Sequence, residues 1–354
     1  MKSITHKISI PSILRVESNA IASIGTILSQ ESVKDVIIIT DNNIYEMISD
    51  KIEPALLENK INFSYVFIQD NTDINQLISQ AYTIKSDVEF LIGVGGGSII
   101  DRTKYISYIT KIPCFSIPTS PSNDGILSPF SSLYINSKRT SVPAKMPYGL
   151  VVDLDIIKDA PIHMIYSGIG DSVSNLTAIE DMKYENTILN TNVDDFSKLI
   201  SLRSVESLLH FQDVNIRSYE FISALVKSLT MSGIAMEVAG SSSPSSGSEH
   251  LISHALDQLL ESNNYPHGIQ VGISTYIISI IQNNKSIEID SFFSKTGFWD
   301  FVKTLEIQQV DLIRAIDLAP TIKPHRKTIL HDKSKRDMAK RIVCEDSMLQ
   351  LILK

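Results

Sequence analysis

Along the first part of the chain, short apolar runs alternate with stretches whose apolar residues recur at helical spacing. Asp35–Thr40 (DVIIIT), Phe63–Ile68, Phe90–Val94, Cys114–Ile117 and Leu150–Val152 are nearly unbroken apolar runs, which predict strands of a parallel sheet covered on both faces. Between them, Asn43–Leu57, Asp73–Ile84 and Ser98–Thr110 predict helices. Strand, helix, strand at this rhythm builds βαβ units, whose ligand site lies at the carboxyl ends of the strands. After Asp155 the pattern changes. Asp171–Met182, Asp194–Leu209, Tyr219–Glu237, Ser248–Leu260, Gly268–Gln282 and Val310–Leu318 carry helical spacing, and strand-like runs are nearly absent. The expected boundary falls within Asp155–Met164, giving an α/β domain over 1–158 and an all-α domain over 159–354.

Composition narrows the class. The 354 residues are 43% apolar and 20% charged with a net charge of −8, which fits a globular fold and excludes a general nucleic-acid or anionic-membrane binder. A basic pocket for one anion is still allowed. The two cysteines, Cys114 and Cys344, form no disulfide framework and sit in no C-x-x-C, so a reducing cytoplasm is expected. The start, MKSITHKISIPSI, lacks a signal-peptide core, and the runs FLIGV and YIISII are too short to cross a bilayer.

Three motifs carry chemistry. Strand Phe90–Val94 runs into Gly95-Gly96-Gly97-Ser98 and a helix, a turn in which backbone N–H groups can approach a diphosphate. It departs from the usual dinucleotide fingerprint, since Ser98 stands at the last glycine and Pro113 where the ribose-binding acid would be; Asp41, at the end of DVIIIT, can take that role. The next strand leads into Pro118-Thr119-Ser120-Pro121-Ser122-Asn123-Asp124-Gly125, where Asp124 either caps the turn or meets a ligand. In the helical part, His250 and His254 are i and i+4 behind a helix start at Ser248, a plausible N-cap. His267 follows the break at Asn263-Asn264-Tyr265-Pro266, and Gly170-Asp171 opens another helix with an unbalanced carboxylate. Imidazoles with a carboxylate suit Zn²⁺ or a similar divalent ion, and three protein ligands leave a position open for substrate.

The runs Gly95-Gly96-Gly97-Ser98-Ile99-Ile100-Asp101-Arg102-Thr103-Lys104, Asn123-Asp124-Gly125-Ile126-Leu127-Ser128-Pro129, Gly170-Asp171-Ser172-Val173-Ser174-Asn175, Ser246-Gly247-Ser248-Glu249-His250-Leu251-Ile252-Ser253-His254-Ala255, His267-Gly268-Ile269-Gln270-Val271-Gly272 and Lys323-Pro324-His325-Arg326-Lys327 resemble the sn-glycerol-1-phosphate dehydrogenase family. That family stands within the superfamily of glycerol dehydrogenase, iron-type alcohol dehydrogenases and dehydroquinate synthase. The resemblance implies a dehydroquinate synthase-like fold: a Rossmann-like NAD(P)-binding α/β domain, a helical metal- and substrate-binding domain, and a metal in the cleft between them. It implies Asp171, His250 and His267 as metal ligands, with zinc expected and nickel or iron as alternatives. Gly95, Gly96, Gly97, Ser98, Asp101, Thr119 and Ser120 would hold the nicotinamide cofactor, with Asp41 on the adenosine ribose. Asp124 would contact the substrate hydroxyls, and His254 would sit beside the metal and relay a proton.

The implied activity is metal-dependent, NAD(P)-linked interconversion of sn-glycerol 1-phosphate and dihydroxyacetone phosphate. A carboxylate at Asp41 with no neighbouring cation favours NAD over NADP. The implied partner is a small polyol or polyol phosphate, in a cytoplasmic homo-oligomer that binds neither nucleic acid nor membrane. Two departures from the family, Asn123 for His and Ser243 for Arg, remove positive charge near the substrate and keep free glycerol as an alternative. Lys104, Lys145, His325, Arg326 and the backbone ahead of Ser248 stand as candidates to hold a phosphate. A cyclising lyase of the dehydroquinate synthase kind and a non-catalytic binding protein are the remaining readings.

Overall fold

The computed structural model describes residues 8–69, 72–135, 138–190, 194–211, 214–260 and 265–354. The chain separates into two compact units, Met1–Pro161 with Arg217–Val226, and Ile162–Ile216 with Lys227–Lys354. Arg217–Val226 joins the first because Arg217 donates to the Lys158 and Ala160 carbonyls and the Tyr219 hydroxyl donates to Asp155.

The first unit is built on six parallel strands: β1 (Ile13–Glu17), β2 (Asp35–Thr40), β3 (Asn62–Phe67), β4 (Phe90–Gly95), β5 (Cys114–Pro118) and, after a hairpin, β8 (Gly149–Asp153). Helices α1 (Ile24–Gln30), α2 (Asn42–Glu58), α3 (Ile74–Thr83) and α4 (Gly97–Thr110) connect them, and α5 (Leu154–Lys158) follows. The sheet order is β1-β8-β5-β4-β2-β3. Unbroken apolar runs make the central strands because both faces are covered; every residue of β4, β5 and β8 is buried. From β2 the chain steps outward to β3, then returns across β2 to β4 and continues the other way to β5. The β2 and β4 carboxyl ends therefore flank the point where strand order reverses.

Strand β1 and the antiparallel hairpin β6 (Phe130–Ile135) and β7 (Lys138–Pro143) have no counterpart among the predicted strands. β1 lies at the sheet edge with Leu14 and Arg15 exposed, and the hairpin is rich in hydroxyl residues. Such segments form no continuous apolar run.

Behind β6, Lys104 is nearly solvent-free. Its ammonium lies 2.8 Å from Asp101 Oδ1, donates to the Gly125 carbonyl at 2.7 Å and Ser128 Oγ at 3.1 Å, and reaches the Phe130 carbonyl. Asp101 Oδ2 accepts the Ser132 N–H at 3.1 Å. This clasp fixes the loop from Asp124 to the hairpin onto α4.

The described part of the second unit contains helices only: α6 (Ile162–Val173), α7 (Asn175–Leu189), α8 (Asp195–Leu209), the later turns of α9 (Tyr219–Ala239), α10 (Ser248–Leu259), α11 (His267–Gln282), α12 (Ser286–Thr296), α13 (Phe298–Thr304), α14 (Gln309–Ile322), α15 (Lys333–Glu345) and α16 (Ser347–Ile352). The single helix expected over Asp171–Met182 is two: α6 ends at Val173 and α7 begins at Asn175, with the Ser174 N–H and hydroxyl both directed to the Asp171 carbonyl between them. Asp171 thus stands in the last turn of α6 rather than opening a helix. Helix α9 is long and apolar enough to cross a membrane by length and composition, but 67% of its most apolar window is buried, as in a core helix. Asn263 and Asn264 of the expected break before α11 lie outside the described residues.

Removing one partner of a buried ion pair leaves the other charge unpaired. Lys104→Ala is expected to lower stability by about 3–5 kcal/mol in denaturant unfolding. A loss within the spread of surface substitutions would show that the clasp holds nothing.

Candidate metal centre and cofactor turn

In the first unit, three turns emerge at the carboxyl ends of adjacent strands. Asp41 follows β2 directly and accepts the Ile44 N–H at 2.9 Å, capping α2 through one carboxylate oxygen. Gly96 caps α4 with no side-chain bond to the helix start, and a Cβ placed there would meet nothing nearer than Ser120 Oγ at 3.8 Å. A Cβ at Gly97 would come within 3.1 Å of Asn123 Nδ2. These glycines leave the first N–H groups of a fourteen-residue helix approachable by an anion, so the turn fits a diphosphate. Beside it, β5 pairs with β4 so that Pro118 faces Gly95, and the Thr119 N–H donates to the Gly95 carbonyl at 2.9 Å. Thr119, Ser120 and Ser122 are buried there.

Asn123, not Asp124, caps the turn that follows, accepting the Gly125 N–H at 2.9 Å. Ser98 lies in the first turn of α4, beside Gly97. Asp101 faces elsewhere, its carboxylate held by Lys104 and the Ser132 N–H. Lys104 is buried in the same clasp, its ammonium taken by Asp101, the Gly125 carbonyl and Ser128.

In the second unit, Asp171, His250 and His267 come together. One donor atom from each lies within 4.8 Å of the others. Asp171 Oδ1 is 3.5 Å from His250 Nε2 and 3.9 Å from His267 Nε2. Donors about 2.1 Å from a tetrahedral ion stand about 3.4 Å apart, so the two edges at Asp171 are close to what one requires. The donor set, two imidazoles and a carboxylate, suits Zn²⁺ or another divalent transition metal.

Two features build the triad. Helices α6 and α11 touch backbone to backbone: a Cβ on Gly170 would overlap the Gly268 carbonyl, and one on Gly268 would overlap the Ser167 carbonyl. The residues next to these glycines are Asp171 and His267. Helix α10 then lays His250 against them. His254, one turn on, stays outside the triad, with its ring 5.7 Å from that of His267 and 6.5 Å from that of His250.

The start of α10 is held by carboxylates that sequence reasoning missed. Gly247, not Ser248, occupies the cap position, and the Ser248 N–H goes to Asp181 Oδ2 at 2.6 Å. Glu249, 0% exposed, accepts the Gly247 N–H at 2.5 Å and the Thr177 hydroxyl at 2.8 Å, and lies 3.0 Å from His250 Nδ1. The backbone ahead of α10 is therefore no anion site, because two carboxylates already occupy it. A glutamate in a first helical turn reads as solvated, so nothing in the sequence marks Glu249 as buried.

Burial pulls the His250 imidazole down, yet hydrogen bonds to Asp171 and Glu249 and their charges outweigh it and raise it to about 9. Burial and the charge of Glu249 push Asp181 up to about 7, against N–H bonds from Ile329 and Ser248. Burial and the neighbouring Arg326 bring Lys323 down to about 8, although Glu249 pulls the other way. Arg326 is itself gripped, its Nε 3.1 Å from both Glu185 oxygens and its Nη2 3.3 Å from the Ser246 carbonyl.

The family profile described as iron-containing alcohol dehydrogenase matches residues 15–161. The glycerol-1-phosphate dehydrogenase [NAD(P)+] of Metallosphaera sedula is 34% identical over 331 residues, 93% of this chain and 93% of the relative. That of Pyrococcus furiosus is 36% identical over 297 residues, 83% of this chain and 85% of the relative. Among solved structures, glycerol dehydrogenase from Schizosaccharomyces pombe superposes with a TM-score of 0.81 at 19% identity, covering 98% of this chain and 92% of that one.

Two predictions follow from the geometry. Gly170→Ala should force α6 from α11, costing about 1–3 kcal/mol and weakening Zn²⁺ binding; unchanged binding would mean the contact does not set the triad. For Asp181, the folded protein keeps a proton that the unfolded chain loses near 3.8, so stability falls as pH rises from there to about 7. The Tm of the unsubstituted protein should decline through that window relative to Asp181→Asn. Parallel curves would show a carboxylate already ionised.

Proposed function

This chain belongs to the glycerol-1-phosphate dehydrogenase family, and we propose that it interconverts sn-glycerol 1-phosphate and dihydroxyacetone phosphate with a nicotinamide cofactor and one divalent metal. The observation that carries the reading is the convergence of Asp171, His250 and His267 in a chain aligned with such enzymes over nearly its whole length. Both cysteines are free, which supports work in a reducing compartment.

A divalent ion in the triad would supply Lewis acidity toward the substrate oxygen, and a nicotinamide would supply the hydride exchange. Zinc is the metal we expect, from a donor set with no thiolate and room for an open position. Asp171 contributes the single negative charge of the set, and the imidazoles present their Nε2 atoms. Gly96 and the first N–H groups of α4 bind the cofactor's diphosphate. Asp41 accepts from the adenosine ribose and repels a 2′-phosphate, so NAD is the preferred cofactor. Asp124, next to the Asn123 that caps this turn, orients the substrate hydroxyls. His254, beside the triad but outside it, holds the proton that leaves the substrate hydroxyl.

A dianionic phosphate needs cations. Lys104 and the α10 start are taken up by their partners, which leaves Lys145, His325 and Arg326, the last paired with Glu185, joined by Lys323, whose ammonium feels the charges of Arg326 and Glu249. The neutral Asn123 and Ser243 favour a second reading, oxidation of free glycerol.

A panel of glycerol 1-phosphate, dihydroxyacetone phosphate, glycerol and dihydroxyacetone with NAD(H) and NADP(H), on protein loaded with Zn²⁺, decides between them. We expect turnover of the phosphorylated pair, with NAD favoured by about 1–3 kcal/mol in kcat/KM. Arg326→Ala should raise KM for glycerol 1-phosphate with a smaller effect on kcat. Efficient oxidation of glycerol with its phosphate ignored would establish the second reading.

A further inference from the structure

The proposed reaction leaves a buried polar chain unused. Helix α10 carries Ser253 and Asp257 at i, i+4, and α11 carries His267 and Gln270 at i, i+3, so the four side chains meet along one helix–helix contact. Ser253 Oγ lies 2.9 Å from His267 Nδ1 and 3.0 Å from Gln270 Oε1. Gln270 Nε2 lies 3.1 Å from Asp257 Oδ1 and 2.9 Å from the Tyr265 carbonyl oxygen. Ser253 and Gln270 are both essentially solvent-free.

The direction of each bond follows from the chemistry of the ends. A carboxylate and a carbonyl only accept, so the NH₂ of Gln270 faces them and its amide oxygen faces Ser253. That oxygen also only accepts, so the single hydroxyl proton of Ser253 goes to it. Ser253 then offers His267 a lone pair and nothing else. Nδ1 must carry the proton of the neutral ring, and Nε2, the atom 3.9 Å from Asp171 Oδ1, is the unprotonated nitrogen.

We propose that Gln270 and Ser253 are positioning residues that lock His267 in the Nδ1–H tautomer and so present Nε2 to the metal; this rests on the reading of the triad as a metal site. The opposite tautomer would turn the Ser253 proton toward His267 and leave the buried Gln270 oxygen without a donor. Glu249 does the corresponding work for His250, with a charged acceptor in place of a hydroxyl. Such partners fix ring orientation as well as protonation.

Two measurements test this. In the metal-free protein at alkaline pH, ¹⁵N spectra of the histidine rings should show His267 protonated on Nδ1; a proton on Nε2 overturns the inference and needs no variant. In Zn²⁺ titrations against a chromophoric chelator, Ser253→Ala and Gln270→Leu should bind about 10–100-fold more weakly, while Ser253→Thr, which keeps the hydroxyl, restores most of the affinity. Binding unchanged in both weakened variants, with folding verified by circular dichroism, overturns the proposal. If instead Asp171→Asn and His250→Ala bind Zn²⁺ like the unsubstituted protein, the metal reading itself fails, and the His267 spectrum still judges the tautomer separately.

Discussion

Helices α6 and α11 approach until their backbones meet at Gly170 and Gly268, and the meeting of Asp171 with His267 depends on that contact. A side chain at either position would overlap a carbonyl oxygen of the facing helix. A Cβ on Gly272, one turn on, would lie 3.0 Å from the Gly170 Cα, so the close approach extends along the crossing. The neighbours in sequence, Asp171 and His267, are carried to within one ion's coordination distance of each other. Without the glycines, ordinary helix packing at 8–10 Å would leave them too far apart.

Around this contact the unit buries several groups that usually stay in water. Asp181, Glu249, Ser253 and Gln270 are all essentially solvent-free. Each finds partners in N–H groups, hydroxyls or amides, as burial of polar atoms demands. The carboxylates also tie segments far apart in sequence: Asp181 accepts from Ser248 and from Ile329, and Glu249 spans Thr177, Gly247 and His250. His250 is held from the side opposite Asp171, and its ring has little freedom to turn.

The first unit reaches its arrangement by topology. Parallel strands align their carboxyl ends, and the reversal of strand order between β2 and β4 opens space there. Glycines at the α4 start keep that space clear. The Lys104–Asp101 clasp anchors the loop that carries Asp124, so a residue of a flexible-looking turn is mounted on a buried ion pair.

Much of this was legible in the residues. The central strands of the sheet announced themselves because a strand buried on both faces must be apolar throughout, and the helical texture after Asp155 followed from spacing. The likeness of six sequence blocks to one dehydrogenase family pointed to Asp171, His250 and His267, which the fold brings together. Hidden were the edge strand β1 and the β6–β7 hairpin, whose half-exposed residues leave no apolar signature, and the break at Ser174, which interrupts a continuous helical pattern. The true surroundings of Asp101, Lys104 and Glu249 were hidden too: a charged residue reads as solvated until a partner distant in the chain is seen beside it. Local sequence specifies which elements form and which donors they carry. Only tertiary packing decides which charges are buried against one another, and which nitrogen of a histidine is left to bind, because those depend on atoms brought together from separate helices.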